Sequence, residues 1–260
     1  MKASEIIARI EQFAPAELQE NFDNTGIQIG NPEQKINGIL IALDITENIV
    51  DEAIECGCNM IVSHHPLLFT GLKKITGRNY IERVVMKAAK HDIVLYAAHT
   101  NLDKCVGGVN YEMADRLELV NVRVLEPEQS DEKVGLGCVG DLKEPMNEMD
   151  FLDKLKNTFG ARCVRHSALL NRSIRRVALC GGSGSDLIMT AKKAKADIYI
   201  TADVTYHKFF MAENEIVIAD IGHFECENVT KKIFMEQLSK IFPNFAIRIS
   251  EKEQNVINYY

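Results

Sequence analysis

The sequence predicts an α/β fold, because strand-like and helix-like segments alternate along its 260 residues. Short apolar runs bounded by turn residues predict six strands, at Gly38–Asp44, Met60–Ser63, Ile93–Ala98, Val177–Cys180, Ile198–Thr201 and Ile216–Asp220. Amphipathic patterns between them predict helices at Glu47–Cys56, Tyr80–Lys90, Asn110–Leu117, Ser185–Ala194, Val204–Ala212 and Asn228–Ile241. Runs such as GILIAL are apolar at consecutive positions, which is typical of parallel strands buried on both faces. We therefore expect a largely parallel sheet.

Residues 126–165 depart from this alternation. The segments VGLGCVGDL, Met149–Thr158 and ARCVRHS predict a strand–helix–strand insertion. Its polar start, EPEQSDEK, is either a linker or an ordinary surface loop. The corresponding division gives a first α/β domain of residues 1–125 and 215–260, and a second α/β domain of residues 126–214.

An internal repeat appears when the two halves are overlaid. With a shift of 138 residues, GILIALD falls on RVALCGG and NMIVSHH falls on DIYITAD. With a shift of 124, IVLYAAHTNLD falls on VIADIGHFECE, so that His99 meets His223 and Asp103 meets Glu227. Any two α/β units share an apolar pattern, but that pattern does not fix the polar residues after a strand. A true repeat would bring ligands from two similar halves to a shared site.

Charge and cysteine content limit the class of protein. The net charge of −7 argues against a duplex-binding protein, which normally carries a basic surface. The short basic cluster Arg172, Arg175 and Arg176 is typical of a solvated face. Seven cysteines without a C-x-x-C pair indicate reduced thiols, and neither a signal peptide nor a long apolar span is visible. We expect a cytoplasmic protein that does not enter a membrane.

Polar clusters follow the predicted strands, where ligands bind in open α/β sheets. His64 and His65 come directly after NMIVS, and neutral imidazole is the commonest protein ligand for metal ions. Adjacent side chains on an extended segment point apart, so each ring would serve one of two neighbouring ions. The alternative is an exposed polar turn.

Two carboxylates would supply the negative charge that a pair of divalent ions requires. Glu227 is the better bridging ligand, since its side chain reaches further than that of Asp103. The alternatives are that Asp103 caps a helix and that Glu227 is a first-turn acid. The predicted ligand set for two divalent ions is therefore His64, His65, Asp103, His223 and Glu227.

Other polar residues lie near the same strand ends. His99 either binds a metal or donates a hydrogen bond that orients a ligand. Asp203 and His207 have the same two possibilities, with a plain surface role as the alternative, and Asp44 is a further candidate for orienting a ligand. The turn Gly182, Ser183 and Gly184 lies between a strand and a helix, where backbone N–H groups can hold an anion. It lacks the complete dinucleotide and P-loop fingerprints, so a simple tight turn is the alternative.

Several motifs together resemble one known family. In order they are FDNTGIQIG, SHHPLLF, HTNLD with GGVN, GGSGSD, and ITADVTYH followed by DIGHFECE. This combination resembles the GTP cyclohydrolase I type 2 homologues, also called NIF-three-like proteins. The resemblance implies two related α/β domains with a dinuclear metal site at their interface, and a toroidal hexamer whose sites face an inner cavity. It also implies the same five ligands, with Glu227 bridging, whereas Ala202 replaces a glycine of many relatives and weakens the inference for Asp203.

The expected function is that of a metal-dependent hydrolase acting on a nucleotide-like or phosphorylated small molecule. A metal-bound water would be the nucleophile, since no catalytic side chain is evident. Mixed imidazole and carboxylate ligands suit Zn, Fe, Mn, Ni or Co. The alternative is a non-catalytic metal-binding protein with a regulatory or assembly role. The acidic charge argues against a ring that threads DNA.

Overall fold

The computed structural model describes residues 1–260 and contains two β-sheets. The chain separates into two compact units, the first of residues 1–102 and 230–256 and the second of residues 103–229 and 257–260. Its eleven strands are β1 (Gly26–Ile29), β2 (Gly38–Ala42), β3 (Met60–Ser63), β4 (Val94–Ala97), β5 (Val120–Pro127), β6 (Gly135–Asn147), β7 (Arg165–His166), β8 (Ser173–Leu179), β9 (Ile198–Thr201), β10 (Val217–Asp220) and β11 (Ala246–Ile249).

Nine α-helices accompany the strands, and none combines the length and apolar character needed to cross a membrane. They are α1 (Ala3–Phe13), α2 (Glu47–Glu55), α3 (Tyr80–Lys90), α4 (Thr100–Lys104), α5 (Val109–Arg116), α6 (Glu148–Phe159), α7 (Ile188–Lys193), α8 (His223–Glu227) and α9 (Thr230–Ile241). Three short 3₁₀ helices lie at Ala16–Leu18, Ser185–Leu187 and Tyr206–Ala212. The last of these occupies much of the segment Val204–Ala212, for which the sequence predicted an ordinary helix.

The sheet of the first unit has the strand order β1-β4-β3-β2-β11. All neighbours are parallel except β1, which pairs antiparallel with β4 at one edge. Strands β2, β3 and β4 are buried at every position, as their continuous apolar runs predict. Helices α2 and α3 cover one face with apolar residues at helical spacing, among them Ile49, Ala53, Val84 and Ala88.

The sheet of the second unit has the order β5-β6-β8-β9-β10-β7. Only β8, β9 and β10 run parallel, because β5, β6 and β7 all pair antiparallel with their neighbours. Its core includes Val139, Ala178, Ile188, Tyr199 and Ile218. The polar segment EPEQSDEK begins at the end of β5 and enters the connection between the antiparallel strands β5 and β6, so it is a surface loop and not a linker.

The predicted domain boundaries differ from these units because of strand pairing. The sequence division assigned residues 103–125 and 215–229 to the first domain. In the structure β5 pairs with β6 and β10 pairs with β9, which places both segments in the second unit. The predicted insertion contributes β6, α6 and β7 to the same sheet.

The internal repeat has a structural counterpart in two sets of three parallel strands, β2-β3-β4 and β8-β9-β10. Ile39 pairs with Met60 in the first set, and Val177 pairs with Ile198 in the second, so both partners are shifted by 138 residues. For the third strands, however, the pairing gives a shift of 123 where the sequence overlay used 124. The extra residue lies between Asp220 and His223, just before α8, where the backbone turns at Gly222 with a φ of 95°.

Candidate metal centre

Three histidines of the first unit form one cluster at the carboxyl ends of adjacent strands. His64 and His65 follow β3, and His99 follows β4, whose last residue pairs with the last residue of β3. Their ring centroids are 5.0 to 5.5 Å apart. One ring nitrogen from each histidine can be chosen so that the three nitrogens all lie within 4.8 Å of one another. Three imidazoles at this spacing form a group that could bind a divalent metal ion.

Hydrogen bonds at Nδ1 orient the two adjacent rings. The Nδ1 of His64 lies 2.9 Å from the carbonyl oxygen of Ala98, and the Nδ1 of His65 lies 2.8 Å from Oδ1 of Asp44. A carbonyl and an ionised carboxylate only accept, so Nδ1 carries the proton in both rings. Nε2 is then the nitrogen through which each ring would bind a metal, an arrangement typical of metal-ligating histidines.

The third ring, His99, is oriented by Asp23, a residue that sequence reasoning did not single out. Its Nδ1 donates to Oδ1 of Asp23 at 2.7 Å, and the backbone N–H of Thr100 donates to Oδ2 at 3.0 Å. Burial alone would raise the pKa of Asp23, but hydrogen bonds from His99 and Thr100 outweigh it and hold the pKa well below its usual range. The carboxylate is therefore ionised. Its only sequence signal was its place in the FDNTG motif.

The backbone of Asp44 is fixed by a carboxylate from the end of the chain. Oε1 of Glu253 accepts the backbone N–H of Leu43 at 2.8 Å and that of Asp44 at 2.7 Å. Its other oxygen pairs with Nζ of Lys231 at 2.8 Å, and the side chain of Glu253 is 4% exposed. The carboxyl end of β2, which bears the partner of His65, is thus tied to the C-terminal segment. No sequence signal identified Glu253.

A histidine and two carboxylates cluster in the second unit. His223 and Glu227 begin and end α8, and their i,i+4 spacing places Nε2 2.8 Å from Oε2. The Nδ1 of His223 lies 2.7 Å from Oδ2 of Asp203, which follows β9. Glu227 is buried, and a nitrogen with a carboxylate oxygen at this distance is a suitable pair for chelating a divalent ion.

The glycine-rich turn packs against this cluster. A Cβ placed on Gly182 would lie 2.2 Å from Oε1 of Glu227, so only glycine allows this approach, and its φ of +61° favours glycine as well. The N–H of Gly184 donates to Oγ1 of Thr201 at 2.9 Å, and the hydroxyl of Ser183 is hydrogen-bonded to Asp203. Both donors therefore already have acceptors within the protein. Anion binding by residues 182–184 therefore stays a prediction.

Asp103 is buried within α4, and the N-cap of the next helix, α5, is Gly108, so Asp103 does not cap that helix. Nδ2 of Asn110 donates a hydrogen bond to the backbone carbonyl of Asp103 at 3.0 Å. Oδ1 of the same side chain accepts a hydrogen bond from the N–H of Gly181 at 2.9 Å. Asn110, the last residue of the GGVN motif, thus connects α4 to the glycine-rich turn. Glu227 ends α8 and is not a first-turn acid.

His207 has a different environment from the other predicted residues. It is exposed in the 3₁₀ helix Tyr206–Ala212, and its ring contacts Tyr206 and Phe210 at centroid distances of 5.3 and 6.2 Å. Neither contact connects His207 to His223 or Asp203. A role in the metal centre stays a prediction for His207.

Comparison with known proteins identifies the family. The model for the Duf34/NIF3 (NGG1p interacting factor 3) family matches residues 1–256. The chain belongs to this family. The resemblance carried by the SHHP, HTNLD and GHFECE motifs is thereby confirmed.

Relatives of the chain agree over most of its length. It is 38% identical over 230 residues to a GTP cyclohydrolase 1 type 2 homolog of Clostridium perfringens, covering 87% of each chain. It is 34% identical to the protein of the same name from Lactococcus lactis subsp. lactis, over 100% of this chain and 99% of that one. Among solved structures, the Bacillus cereus protein related to NIF3 matches with a TM-score of 0.95 and 27% identity, over 100% of this chain and 99% of that one. The mixed α/β fold with two sheets is therefore the fold of NIF3 proteins.

Proposed function

We propose that this NIF3-family protein is a divalent-metal-dependent hydrolase that acts on a nucleotide-like or phosphorylated small molecule. The ligands in this proposal are His64, His65, Asp103, His223 and Glu227. The observation that carries it is the orientation of the histidines, since His64, His65, His99 and His223 are each held at Nδ1 by an oxygen atom of the protein. Such hydrogen bonds fix the tautomer and the orientation of metal-ligating histidines.

The donor set supports two ions and leaves several metals open. Imidazole nitrogens and carboxylate oxygens suit Zn, Fe, Mn, Ni or Co. When bound, two divalent ions would activate water and neutralise negative charge on a substrate. The name shared by the relatives, GTP cyclohydrolase 1 type 2 homolog, supports a nucleotide-like substrate. The dinuclear arrangement, a toroidal homohexamer and a cytoplasmic location belong to the same proposal.

In this proposal the remaining polar residues orient the ligands. Asp44 and Asp203 hold the rings of His65 and His223 through Nδ1. Asp23 does the same for His99, which completes the histidine cluster of the first unit. The first unit therefore supplies nitrogen donors, and the second unit supplies carboxylate donors together with the nitrogen of His223.

Two measurements test the proposal. Elemental analysis of protein purified without chelators is expected to find about two divalent ions per chain, as a dinuclear site requires. The metal-loaded protein is then assayed for hydrolysis on a panel of nucleotides and phosphorylated metabolites, beside the double variant His64→Ala, Glu227→Ala. We expect turnover that rises with metal content and is lost in the variant. Equal turnover by both proteins, or metal-loaded protein that turns over no member of the panel, would refute the hydrolase.

The oligomer has a separate test. Light scattering coupled to size-exclusion chromatography is expected to give six times the chain mass of 29.2 kDa. A monomeric mass at micromolar concentration would contradict the hexamer but would leave metal binding and hydrolysis to be decided by their own assays.

A further inference from the structure

A cavity of about 540 Å³ lies within the first unit, beside His65. It is at the carboxyl ends of β2 and β3, the position at which open α/β sheets bind ligands. Its volume falls within the range of about 300–1,000 Å³ that is usual for small-molecule sites. Ten residues line it, and they come from the loop after β2, the start of α2, the loop after β3, the start of α3 and the C-terminal segment.

The charge of this lining selects against a phosphate group. The formally charged side chains among the ten residues are Asp44 and Glu47, both acidic, and the ten include no lysine or arginine. Phosphate sites in proteins normally contain cationic side chains, which pair with the anionic oxygens. One oxygen of each carboxylate already has a partner, since Oδ1 of Asp44 lies 2.8 Å from Nδ1 of His65 and Oε2 of Glu47 accepts Nε of Arg83 at 2.8 Å. The side-chain oxygens of Thr46 and Asn48 add further acceptors. The cavity is therefore suited to a neutral or cationic group that bears N–H donors.

The apolar part of the lining is suited to a flat ring. Ile45, Pro66 and Leu67 form apolar wall, and the residue Tyr80 is 53% exposed at the first position of α3. This helix start is fixed, because the side chain of Asn79 accepts the backbone N–H of Glu82 at 2.9 Å. An exposed aromatic ring at a capped helix start is a surface on which a heterocyclic base can stack.

We propose that this cavity binds the nitrogen heterocycle of a nucleoside-like substrate, with Tyr80 as the stacking residue, and that it does not bind the phosphate end. A simple amine would match the acidic charge of the lining but would leave the apolar walls and the ring of Tyr80 without a partner. The inference rests on the proposed function, since it names the part of the substrate that lies beside His65.

The test uses guanosine, adenosine and inorganic phosphate as probes for the full-length, metal-loaded protein. Isothermal titration calorimetry is expected to show that at least one nucleoside binds and that phosphate does not compete with it. Tyr80→Ala should weaken nucleoside binding about tenfold or more, because stacking on an aromatic ring is lost. Tyr80→Phe should restore it to within about threefold of the wild type, since the ring remains.

A matched control is available in the second unit. Tyr206 is 73% exposed and lines a cavity of about 560 Å³ with Phe209 and Phe210. Tyr206→Ala is expected to leave nucleoside binding unchanged. Circular dichroism and unfolding midpoints of all three variants check that each is folded.

The outcomes separate this inference from the hydrolase proposal. If neither nucleoside binds, or if Tyr80→Ala binds as tightly as the wild type, the cavity is not the base site, even if the protein hydrolyses a phosphorylated substrate. Competition by inorganic phosphate at this cavity would also overturn it. If nucleoside binding depends on Tyr80 while no member of the panel is turned over, the inference stands and the hydrolase proposal fails.

Discussion

The two sets of three parallel strands share a backbone plan but differ in the chemistry at their ends. In β2-β3-β4 and β8-β9-β10 the strand order is the same, and the first pair of strands has the same register. At the end of the middle strand, however, His64 and His65 of the first set correspond to Ala202 and Asp203 of the second. Apolar strand residues maintain the fold in both sets, while the residues after the strands are free to diverge. The first set therefore presents two imidazoles at a position where the second presents an alanine and a carboxylate.

His99 and His223 show the same contrast. Each follows the third strand of its set, and each is held at Nδ1 by a carboxylate 2.7 Å away. The carboxylate is Asp23 in the first unit, from the segment before β1, and Asp203 in the second, from the end of β9. The same ring orientation is thus reached from different parts of the chain. Orientation of the ring is the common feature, and the sequence position of its partner is not.

The largest effect on metal affinity is expected from removing the carboxylate of Glu227. If Glu227 is itself a metal ligand, Glu227→Ala should reduce divalent-metal affinity by more than about 100-fold, beyond the loss typical of residues that only orient ligands. Competition with a chromophoric chelator measures the affinity, and elemental analysis measures the content. Glu236→Ala is the control, because Glu236 is half-exposed on α9 and pairs there with Lys232. Wild-type metal affinity in Glu227→Ala would contradict the assignment of Glu227 as a metal ligand.

The equivalence of the two strand sets can be tested in their cores. Ile41 in β2 and Leu179 in β8 occupy equivalent positions, and both are fully buried. Ile41→Ala and Leu179→Ala should each lower the free energy of unfolding by about 2–5 kcal/mol, through lost burial and the cavity that remains. Urea denaturation followed by circular dichroism gives the values, with Ile54→Ala on the exposed side of α2 as control. A loss below about 1 kcal/mol at either core position would show that the two strand sets are not equivalent in packing.

Much of the fold was predictable because buried parallel strands are apolar at every position. The observed bounds of two strands and one helix are the same as the predicted ones, namely Met60–Ser63, Ile198–Thr201 and Tyr80–Lys90. Strands β1 and β11 were missed, because they lie at sheet edges and are half-buried or exposed rather than continuously apolar. Strand β5, exposed at about half of its positions, was missed for the same reason.

The candidate site also contains residues that the sequence identified and residues that only the structure revealed. Histidines and acids after predicted strands were visible in the sequence, because strand ends are where such residues gather. Asp23 and Glu253 were not visible, since they reach His99 and Asp44 from 76 and 209 residues away along the chain. No local pattern records a contact over such a separation. The orienting residues therefore required the structure.

A smaller effect is expected from the carboxylates that orient the rings. Asp44→Ala and Asp203→Ala each remove the acceptor at Nδ1 of one histidine, His65 or His223. Each should weaken metal binding by about 10–100-fold, the usual effect of losing such a hydrogen bond. The chelator competition assay measures both, and Asp51→Ala, which breaks a surface pair with Lys87, is the control. If either variant binds metal as the wild type does, orientation through Nδ1 does not contribute in that half.

The smallest effect is expected at two helix caps, one in each unit. The side chain of Asn79 accepts the N–H of Glu82 at the start of α3, and that of Asn147 accepts the N–H of Met149 at the start of α6. Asn79→Ala and Asn147→Ala should each reduce the free energy of unfolding by about 1 kcal/mol, because an N–H of the first turn loses its acceptor. The aspartate variants, Asn79→Asp and Asn147→Asp, retain an acceptor and should restore most of that loss. Urea denaturation of the four variants measures the difference. If aspartate is no better than alanine at one cap, the stability there comes from packing and not from the cap, and the two units differ in how their helices begin.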